Sequence, residues 1–384
     1  MIESIDYRKC TGCGTCVEVC PLDTLRLDAF TPNVPPCRIA CPAGVKIREY
    51  IFLLKLGRVD EAIALIRETL PFPAITGRLC FHPCELKCAR REVDEPVNIN
   101  ALERFIGDRL LDEKSAALPR LHASEIAVIG SGPTGLSAAY FLNRLGYRVT
   151  IYESSSQIGG TLRTRAPEKR LPRDLLDGQI RCISDMGVQF VLNSALGEEL
   201  TIDDLRGKGY KAILLATGSK PEDKAVRRGG VVLSPEDPLH VDPVTLQTEM
   251  SDVFVSGSLA IGPSPLVKMI AHARRAVRSI DRYQGGKDPD LGREKKPAKA
   301  RKVPGEGIKK QERHATRDGF TLEVALDEAR RCMSCGGRAY VAYPDDCMTC
   351  FECEVECPSK AIEVHPFKEA LPPTIEYSRW REDR

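Results

Sequence analysis

A strand, a glycine-rich turn, a helix and a second strand follow one another between residues 125 and 160, and this order constrains the fold more than any other feature. The apolar residues 126–129 predict a buried parallel strand, 136–145 a helix, and 148–152 a second strand. The turn has the pattern G-x-G-x-x-G and consists of Gly130, Ser131, Gly132, Pro133, Thr134 and Gly135. The sequence therefore predicts an α/β Rossmann-like domain that binds a dinucleotide.

Each part of this turn has a physical role in holding a dinucleotide. Gly130 allows the tight turn, Gly132 lets the backbone approach a pyrophosphate, and Gly135 lets the helix pack on the strand. Free N–H groups at the start of the helix bind phosphate oxygens. Glu153, at the end of the second strand, lies where a carboxylate accepts hydrogen bonds from a ribose. A glycine-rich turn without a ligand is the alternative.

Sixteen cysteines, grouped at short spacings, are the outlying number in the composition. No signal-peptide pattern precedes the first group, so we expect a reducing, anaerobic cytoplasm in which grouped cysteines bind metal rather than form disulfides. The net charge of +2 gives no argument for nucleic-acid binding. We expect no membrane span, because no apolar run approaches the roughly 20 residues that cross a bilayer.

Two groups of cysteines have the bacterial ferredoxin spacing with a trailing proline. They are Cys10, Cys13, Cys16 and Cys20 with Pro21, and Cys347, Cys350, Cys353 and Cys357 with Pro358. Each group predicts a [4Fe–4S] loop in which small residues such as Gly12 leave room for the cluster, and a zinc site is the alternative. Either the two ends form one ferredoxin module in which Cys20 and Cys357 exchange clusters, or each half pairs with a partner subunit.

The other grouped cysteines predict further metal sites. They are Cys37, Cys41, Cys80, Cys84, Cys88, Cys332 and Cys335. Buried structural cysteines are the alternative for the central five, and an independent zinc or redox site is the alternative for the last pair. Cys182 stands alone in a helical pattern and receives no role.

Three stretches carry a resemblance to a known family: TGRLC with HPCELKC, VDEPVNINALERFIGD, and EVALDEARRCMSCGG. They resemble the iron–sulphur domain of the glutamate synthase small subunit, which dihydropyrimidine dehydrogenase and the large subunit of NADH-dependent ferredoxin:NADP oxidoreductase share. In that family the Cys-x2-Cys segment precedes the position of Cys37, whereas here a similar segment lies near the C-terminus. The resemblance implies an α-helical iron–sulphur domain joined to an FAD-binding Rossmann-like domain, to which ferredoxin-like α+β [4Fe–4S] segments are added.

The resemblance also implies ligand sets for two central clusters. The seven cysteines are one ligand short, and the family supplies Gln or Glu at the place that Glu103 occupies here. The implied sets are Cys37, Cys88, Cys332 and Cys335 for one cluster, and Cys41, Cys80, Cys84 and Glu103 for the other. A surface carboxylate is the alternative for Glu103.

Three later pieces favour FAD over NAD. They contain Gly160, Thr161 and Leu162 after the acidic residue, Thr217 and Gly218 at the end of one strand, and Gly257 and Ser258 at the end of another. Their order resembles the flavoproteins with two dinucleotide-binding domains, which implies that these pieces close over the flavin. The family has Gly-Asp where this chain has Gly257 and Ser258, so a neutral hydroxyl or water must replace the carboxylate.

The connection after Gly218 argues against direct binding of NAD(P)H. Relatives that use NAD(P)H insert a second nucleotide-binding domain there, of about 100 residues or more. In this chain only 26 residues, 219–244, fill that position, and they contain no G-x-G-x-x-G pattern. We therefore expect that the nicotinamide-binding domain is missing.

The sequence divides into six segments. They are a ferredoxin-like half (1–30), a helical iron–sulphur domain (31–118), an FAD-binding domain (119–284), a basic linker (285–319), a segment that returns Cys-x2-Cys to the helical domain (320–338), and a second ferredoxin-like half with a tail (339–384). The linker is either a solvated connection or a docking surface for an acidic partner.

FAD and four [4Fe–4S] clusters without a nicotinamide domain predict an electron-transfer subunit of a larger oxidoreductase complex. Such a subunit relays or splits electrons between flavin, clusters and a partner subunit, with ferredoxin among the candidate partners. The alternatives are a stand-alone flavoprotein reductase that acts on a small substrate with ferredoxin as donor, and a redox sensor. The sequence contains no acid–base constellation, so no catalytic residue is assigned.

Overall fold

One parallel sheet, a set of helices and two antiparallel strand pairs make up the protein. The computed structural model describes residues 1–7, 9–10, 12, 14–22, 24–28, 33–112, 117–218, 230, 240–290, 308–315, 319–344, 347–357 and 359–365. The strands are β1 Ile2–Ile5, β2 Leu25–Asp28, β3 Glu125–Ile129, β4 Arg148–Tyr152, β5 Gln189–Val191, β6 Ala212–Leu215, β7 Val253–Val255, β8 Arg338–Val341 and β9 Ile362–Val364. The helices are α1 Thr15–Glu18, α2 Pro36–Ala40, α3 Ile47–Lys55, α4 Val59–Arg67, α5 Pro73–Leu79, α6 Pro83–Leu86, α7 Ile99–Asp112, α8 Pro133–Arg144, α9 Thr161–Thr164, α10 Arg173–Asp185, α11 Ile202–Gly207, α12 Ser258–Ile261, α13 Leu266–Gln284, α14 Leu322–Arg330 and α15 Glu352–Val355.

The parallel sheet has the strand order β5-β4-β3-β6-β7. Strand β3 pairs with β4 on one side and with β6 on the other. The chain therefore builds the sheet outward from β3 first on one side, through β4 and β5, and then on the other, through β6 and β7. Strands β6 and β7 are buried along their whole length, as expected for a parallel sheet that is covered on both faces. The sheet confirms the predicted Rossmann-like class, and the change of direction at β3 creates a crevice at the carboxyl ends of β3 and β6.

Helix α8 packs closely on β3 because Gly135, in the first turn of the helix, has no side chain. A Cβ atom at this position would lie 1.8 Å from the carbonyl oxygen of Gly130. On its other side α8 contacts α13, whose buried residues Ile270, Ala273 and Val277 recur at helical spacing. The predicted role of Gly135 in helix–strand packing therefore agrees with the geometry.

The helices of residues 36–112 share one apolar core with the sheet. Tyr50 and Ile106 of the helical region belong to the same cluster of buried residues as Ile126 and Leu136. Helix α14 joins this core through Ala325 and Ala329, which are both fully buried. Helix α14, near the C-terminus, thus returns to the helical region. The domain boundaries given by the sequence remain predictions.

The two ends of the chain pair with each other. Strand β1 is antiparallel to β9, and β2 is antiparallel to β8. The pairs enclose a small core that includes Leu25, Ala339, Ile362 and Val364. Each end supplies a strand that the other lacks, which agrees with the prediction that the ends form one module. Among the described helices, none combines the length and apolar character needed to cross a bilayer.

Candidate cofactor cleft and metal sites

A cleft of about 830 Å³ opens at the carboxyl ends of β3, β4 and β6. Its size lies in the range of small-molecule and cofactor sites. All of the predicted dinucleotide-binding residues line it, except Gly135 and Gly257, which lie beneath the surface of the cleft. A Cβ atom at Gly132 would meet no other atom within 4 Å, so the backbone at the start of α8 is open to a phosphate. These observations fit a dinucleotide.

Glu153 is held by protein donors at the mouth of this cleft. Its Oε2 accepts hydrogen bonds from the backbone N–H of Ser131 at 2.9 Å and from the Ser131 hydroxyl at 2.6 Å, and its Oε1 accepts from the N–H of Ser155 at 2.9 Å. Burial raises the pKa of Glu153, but the bonds from Ser131 and Ser155 outweigh burial and hold this pKa below its usual value. The carboxylate is therefore ionised and fixed, as an acceptor for a ribose hydroxyl must be.

His272, which the sequence analysis does not single out, orients the last glycine turn of the cleft. Its Nδ1 lies 2.9 Å from the Ser256 hydroxyl and accepts a hydrogen bond from the N–H of Gly257 at 3.2 Å. Burial, with a contribution from Arg275, lowers the pKa of His272 to about 4. The ring is thus neutral and acts as an acceptor. A lone histidine in the amphipathic pattern of α13 gives no signal of this role, because the contact is formed only in the fold.

The hydroxyl of Ser258, where the family has aspartate, lines the cleft beside the start of α13. It contacts the sulphur of Met269 at 3.7 Å, which is a weak interaction. The Oγ of Thr217, also in the cleft wall, has no hydrogen-bond partner among the described residues. Both hydroxyls are consequently available to a bound cofactor.

The first predicted central site is a cavity between α2, α3 and the segment after α14. It is lined by Cys37, Cys88, Cys332 and Cys335, which form the first predicted ligand set. Burial raises the pKa of Cys37 well above its usual value, and the charges of the other three thiols raise it further. Four cysteines that line one cavity are the donor set that a [4Fe–4S] cluster takes, so these residues fit such a cluster.

The second predicted set also lies together. Burial raises the pKa of Cys80 to about 12, and the charges of Glu103 and Cys41 add to this effect. The charges of Glu103, Cys41 and Cys80 likewise act on Cys84, whose pKa burial raises strongly. Burial raises the pKa of Glu103 itself to about 7, in spite of a hydrogen bond with Thr76. The donor set thus fits a cluster with one carboxylate ligand.

The ferredoxin-like motifs form two more sites, each built from both ends of the chain. One cavity is lined by Cys10, Cys16 and Cys357, and the other by Cys20, Cys347, Cys350 and Cys353. The predicted ligand Cys13 lies outside the described residues. The arrangement agrees with the exchange of Cys20 and Cys357 between the two motifs.

Backbone N–H groups already point at several of these sulphur atoms. The N–H groups of His82 and Ser334 donate to the sulphurs of Cys80 and Cys332, each at 3.4 Å, and the N–H of Ala361 lies 3.3 Å from the sulphur of Cys357. His82 and Ser334 have φ of +54° and +48°, a conformation that non-glycine residues rarely adopt. Such strain concentrates at ligand sites, and the N–H groups favour thiolate charge, so the residues present fit iron–sulphur clusters.

Three known families match successive parts of the chain. Residues 30–115 match the 4Fe–4S cluster domain II of dihydropyrimidine dehydrogenase, and residues 93–279 match pyridine nucleotide-disulphide oxidoreductase. Residues 3–26 match a 4Fe–4S binding domain. These matches agree with the order of sites in the fold.

Curated relatives match over the same regions. The NADP(+)-dependent formate dehydrogenase subunit beta of Moorella thermoacetica is 38% identical over 209 residues, which are 48% of this chain and 29% of the relative. The NADPH-Fe(3+) oxidoreductase subunit beta of Geobacter sulfurreducens is 37% identical over 223 residues, with coverages of 53% and 32%.

A third relative matches over most of this chain. The glutamate synthase [NADPH] small chain of Bacillus subtilis is 28% identical over 339 residues, which are 84% of this chain and 63% of the relative. This chain thus covers less than two thirds of the length of each of the three relatives. In its fold, its site residues and these matches, the chain resembles iron–sulphur flavoprotein oxidoreductases such as the glutamate synthase small chain and dihydropyrimidine dehydrogenase.

Proposed function

We propose that the chain is an electron-transfer subunit of a larger oxidoreductase complex in an anaerobic cytoplasm. It binds one FAD and four [4Fe–4S] clusters, and it relays or splits electrons between the flavin, the clusters and a partner subunit. The main support for the proposal is that the cleft and the four cysteine sites can be connected in series, from the cleft to the exposed Cys350. When bound, FAD exchanges two electrons and each cluster exchanges one.

The series begins at the cleft. Leu79, the last residue of α5, lines the cleft, and the next residue along the chain is Cys80 of the site that contains Glu103. This site lies beside the site of Cys37, because the charge of Cys84 acts on the buried Cys37 thiol. The two central sites are therefore neighbours of each other and of the cleft.

The series continues through a contact between glycine backbones. Cys335 is two residues from Gly337, which is roughly 7 Å at full extension. A Cβ atom at Gly12 would lie 2.3 Å from the carbonyl carbon of Gly337, and Gly12 lines the site of Cys10. The central site that contains Cys37 and Cys335 thus adjoins the first ferredoxin-like site.

The series ends at the protein surface. Cys350, of the second ferredoxin-like site, is exposed, and so are the apolar side chains of Leu22 and Met348 in the wall of that site. An apolar surface around a partly open metal site suits a redox partner, because close contact shortens the path for electrons. The names of the relatives, "subunit beta" and "small chain", support a role within a complex.

Cofactor analysis tests the proposal directly. We predict one FAD and about sixteen irons per chain, because four sites of the kind described each hold four irons. The measurement is iron and flavin content after anaerobic reconstitution. Eight irons or fewer in fully reconstituted protein would overturn the proposed cluster count. Turnover of a donor–acceptor pair by the purified chain alone would instead favour a stand-alone reductase.

We also predict that neither NADH nor NADPH reduces the flavin of the isolated chain. The reason is the short connection 219–244, most of which (219–229 and 231–239) lies outside the described residues. The names of the relatives contain NADP or NADPH, so this is the point at which the chain departs from them. The measurement is anaerobic stopped-flow absorbance of the flavin, with dithionite as the positive control. Rapid bleaching by either nucleotide would show that a nicotinamide site exists.

A further inference from the structure

Tyr50 lies in α3 and is completely buried, yet its hydroxyl has no hydrogen-bond partner among the described residues. Buried hydroxyls in native proteins are almost always hydrogen-bonded, because a hydroxyl that loses water without a replacement is destabilising. The apolar core around the ring accounts for burial of the ring but not for the polar atom at its end. The hydroxyl therefore needs an acceptor that the described protein groups do not supply.

The surroundings of the hydroxyl identify this acceptor. Burial raises the pKa of Tyr50 well above its usual value, and the charges of Glu103, Cys84, Cys37 and Cys41 raise it further. Three of these groups belong to the site that contains Glu103, and Cys37 belongs to its neighbour. The hydroxyl thus lies near ligands of both central sites, and a tyrosine hydroxyl can donate a hydrogen bond.

The direction of the helix supports the same position. Ile47 and Ile51, one turn before and one residue after Tyr50, line the cavity of Cys37 and Cys88. Tyr50 itself does not line that cavity. Among the charges that raise the pKa of Tyr50, that of Glu103 has the largest effect. Tyr50 therefore lies outside the cavity of Cys37, and the charge that affects it most belongs to the site that contains Glu103.

We propose that the Tyr50 hydroxyl donates a hydrogen bond to a sulphur atom of the cluster held by Cys41, Cys80, Cys84 and Glu103. The inference rests on the proposed cluster at that site. A donated hydrogen bond stabilises the more negative, reduced form of a cluster, so it raises the reduction potential. Tyr50 thereby makes the cluster beside the flavin cleft easier to reduce than it would be with an apolar neighbour.

The test is the variant Tyr50→Phe, which removes only the hydroxyl. We expect the ratio of reduced to oxidised cluster, at a fixed potential, to fall roughly tenfold for one of the four clusters. A tenfold change corresponds to a potential about 59 mV more negative for one electron. The measurement is an anaerobic redox titration followed by electron paramagnetic resonance.

A matched control is Tyr140→Phe. Tyr140, in α8, is also buried. Its hydroxyl, however, donates a hydrogen bond to the carbonyl oxygen of Arg67 at 2.7 Å. This variant also loses a tyrosine hydroxyl, and we expect all four cluster potentials to stay as in the wild type.

Two outcomes separate failure of this inference from failure of the proposed function. If Tyr50→Phe retains the iron content of the wild type and all potentials are unchanged, the hydrogen bond from Tyr50 is refuted while the clusters remain. If the wild-type chain lacks iron at the central sites, the proposed function fails instead. If Tyr50→Phe loses iron, uniform 3-fluorotyrosine labelling of the wild-type chain decides. A fluorinated phenol is a stronger donor, so the potential must rise, and an unchanged potential overturns the inference.

Discussion

The variant Cys357→Ser should lose the cluster of the N-terminal motif and keep that of the C-terminal motif to which Cys357 belongs in sequence. The reason is that Cys357 lines the same cavity as Cys10 and Cys16, more than 300 residues away. Serine is a poor ligand for iron in place of a thiolate, so the cluster of that cavity loses one of its four protein ligands. The mirror variant, Cys20→Ser, should lose the cluster of Cys347 and Cys353.

Companion variants assign the lost signal to a cavity. Cys10→Ser and Cys347→Ser each remove a ligand whose motif is not in question, and the paramagnetic resonance spectrum of each shows which signal belongs to its cavity. Cys357→Ser should lose the same signal as Cys10→Ser, and iron content should fall by about four per chain. Cys182→Ser is the control, because this cysteine lies on α10, outside all four sites. If Cys357→Ser loses the signal that Cys347→Ser loses, the exchange of ligands is wrong.

The pairing of the ends could be predicted because a physical cost is visible in the sequence. Half of a two-cluster ferredoxin fold leaves strand edges and an apolar face uncovered, and the chain contains one half near each end. The observed pairs of β1 with β9 and of β2 with β8 remove both costs. The strand, turn and helix around Gly130 could be predicted for a different reason, since their pattern depends only on neighbours in sequence.

Contacts between distant parts of the chain could not be predicted in the same way. The ferredoxin-like spacing suggests that Gly12 leaves space for a cluster, but in the structure the backbone of Gly337 occupies the position of the missing Cβ. The two glycines are 325 residues apart, so no local pattern links them. The roles of Tyr50 and His272 could not be predicted for a related reason, because each is a single polar residue within an amphipathic helix pattern. Only the fold brings metal ligands or a glycine turn to their polar atoms.

The variant Glu328→Ala should release the segment that carries Cys332 and Cys335 from the helical region. Glu328 is fully buried in α14, where its Oε1 accepts hydrogen bonds from the N–H of Asn98 at 2.7 Å and from the guanidinium of Arg331 at 2.7 Å. Arg331 is also buried and donates to Asp94 at 3.0 Å. This network ties α14 to residues 94–98, and Cys332 follows it directly.

Removal of Glu328 leaves the buried Arg331 with Asp94 as its remaining acidic partner and deprives the buried N–H of Asn98 of its acceptor. We therefore expect Glu328→Ala to cost about 3–5 kcal/mol of the stability of this docking. The measurements are the rate of iron loss to a chelator and the rate of proteolysis between residues 319 and 344. Both rates should rise, and the cluster signal assigned to Cys37 and Cys332 should be the first to disappear.

Two further variants test whether charge is the cause. Glu323→Ala changes an exposed glutamate of the same helix and should leave both rates unchanged. The double variant Glu328→Gln/Arg331→Met removes both charges of the pair and keeps side chains of similar volume, so it should be less damaging than Glu328→Ala. If the double variant loses iron faster than Glu328→Ala, the segment is held by the packing of α14 rather than by this ion pair. In that case Ala325 and Ala329, which lie in the core, become the residues to change.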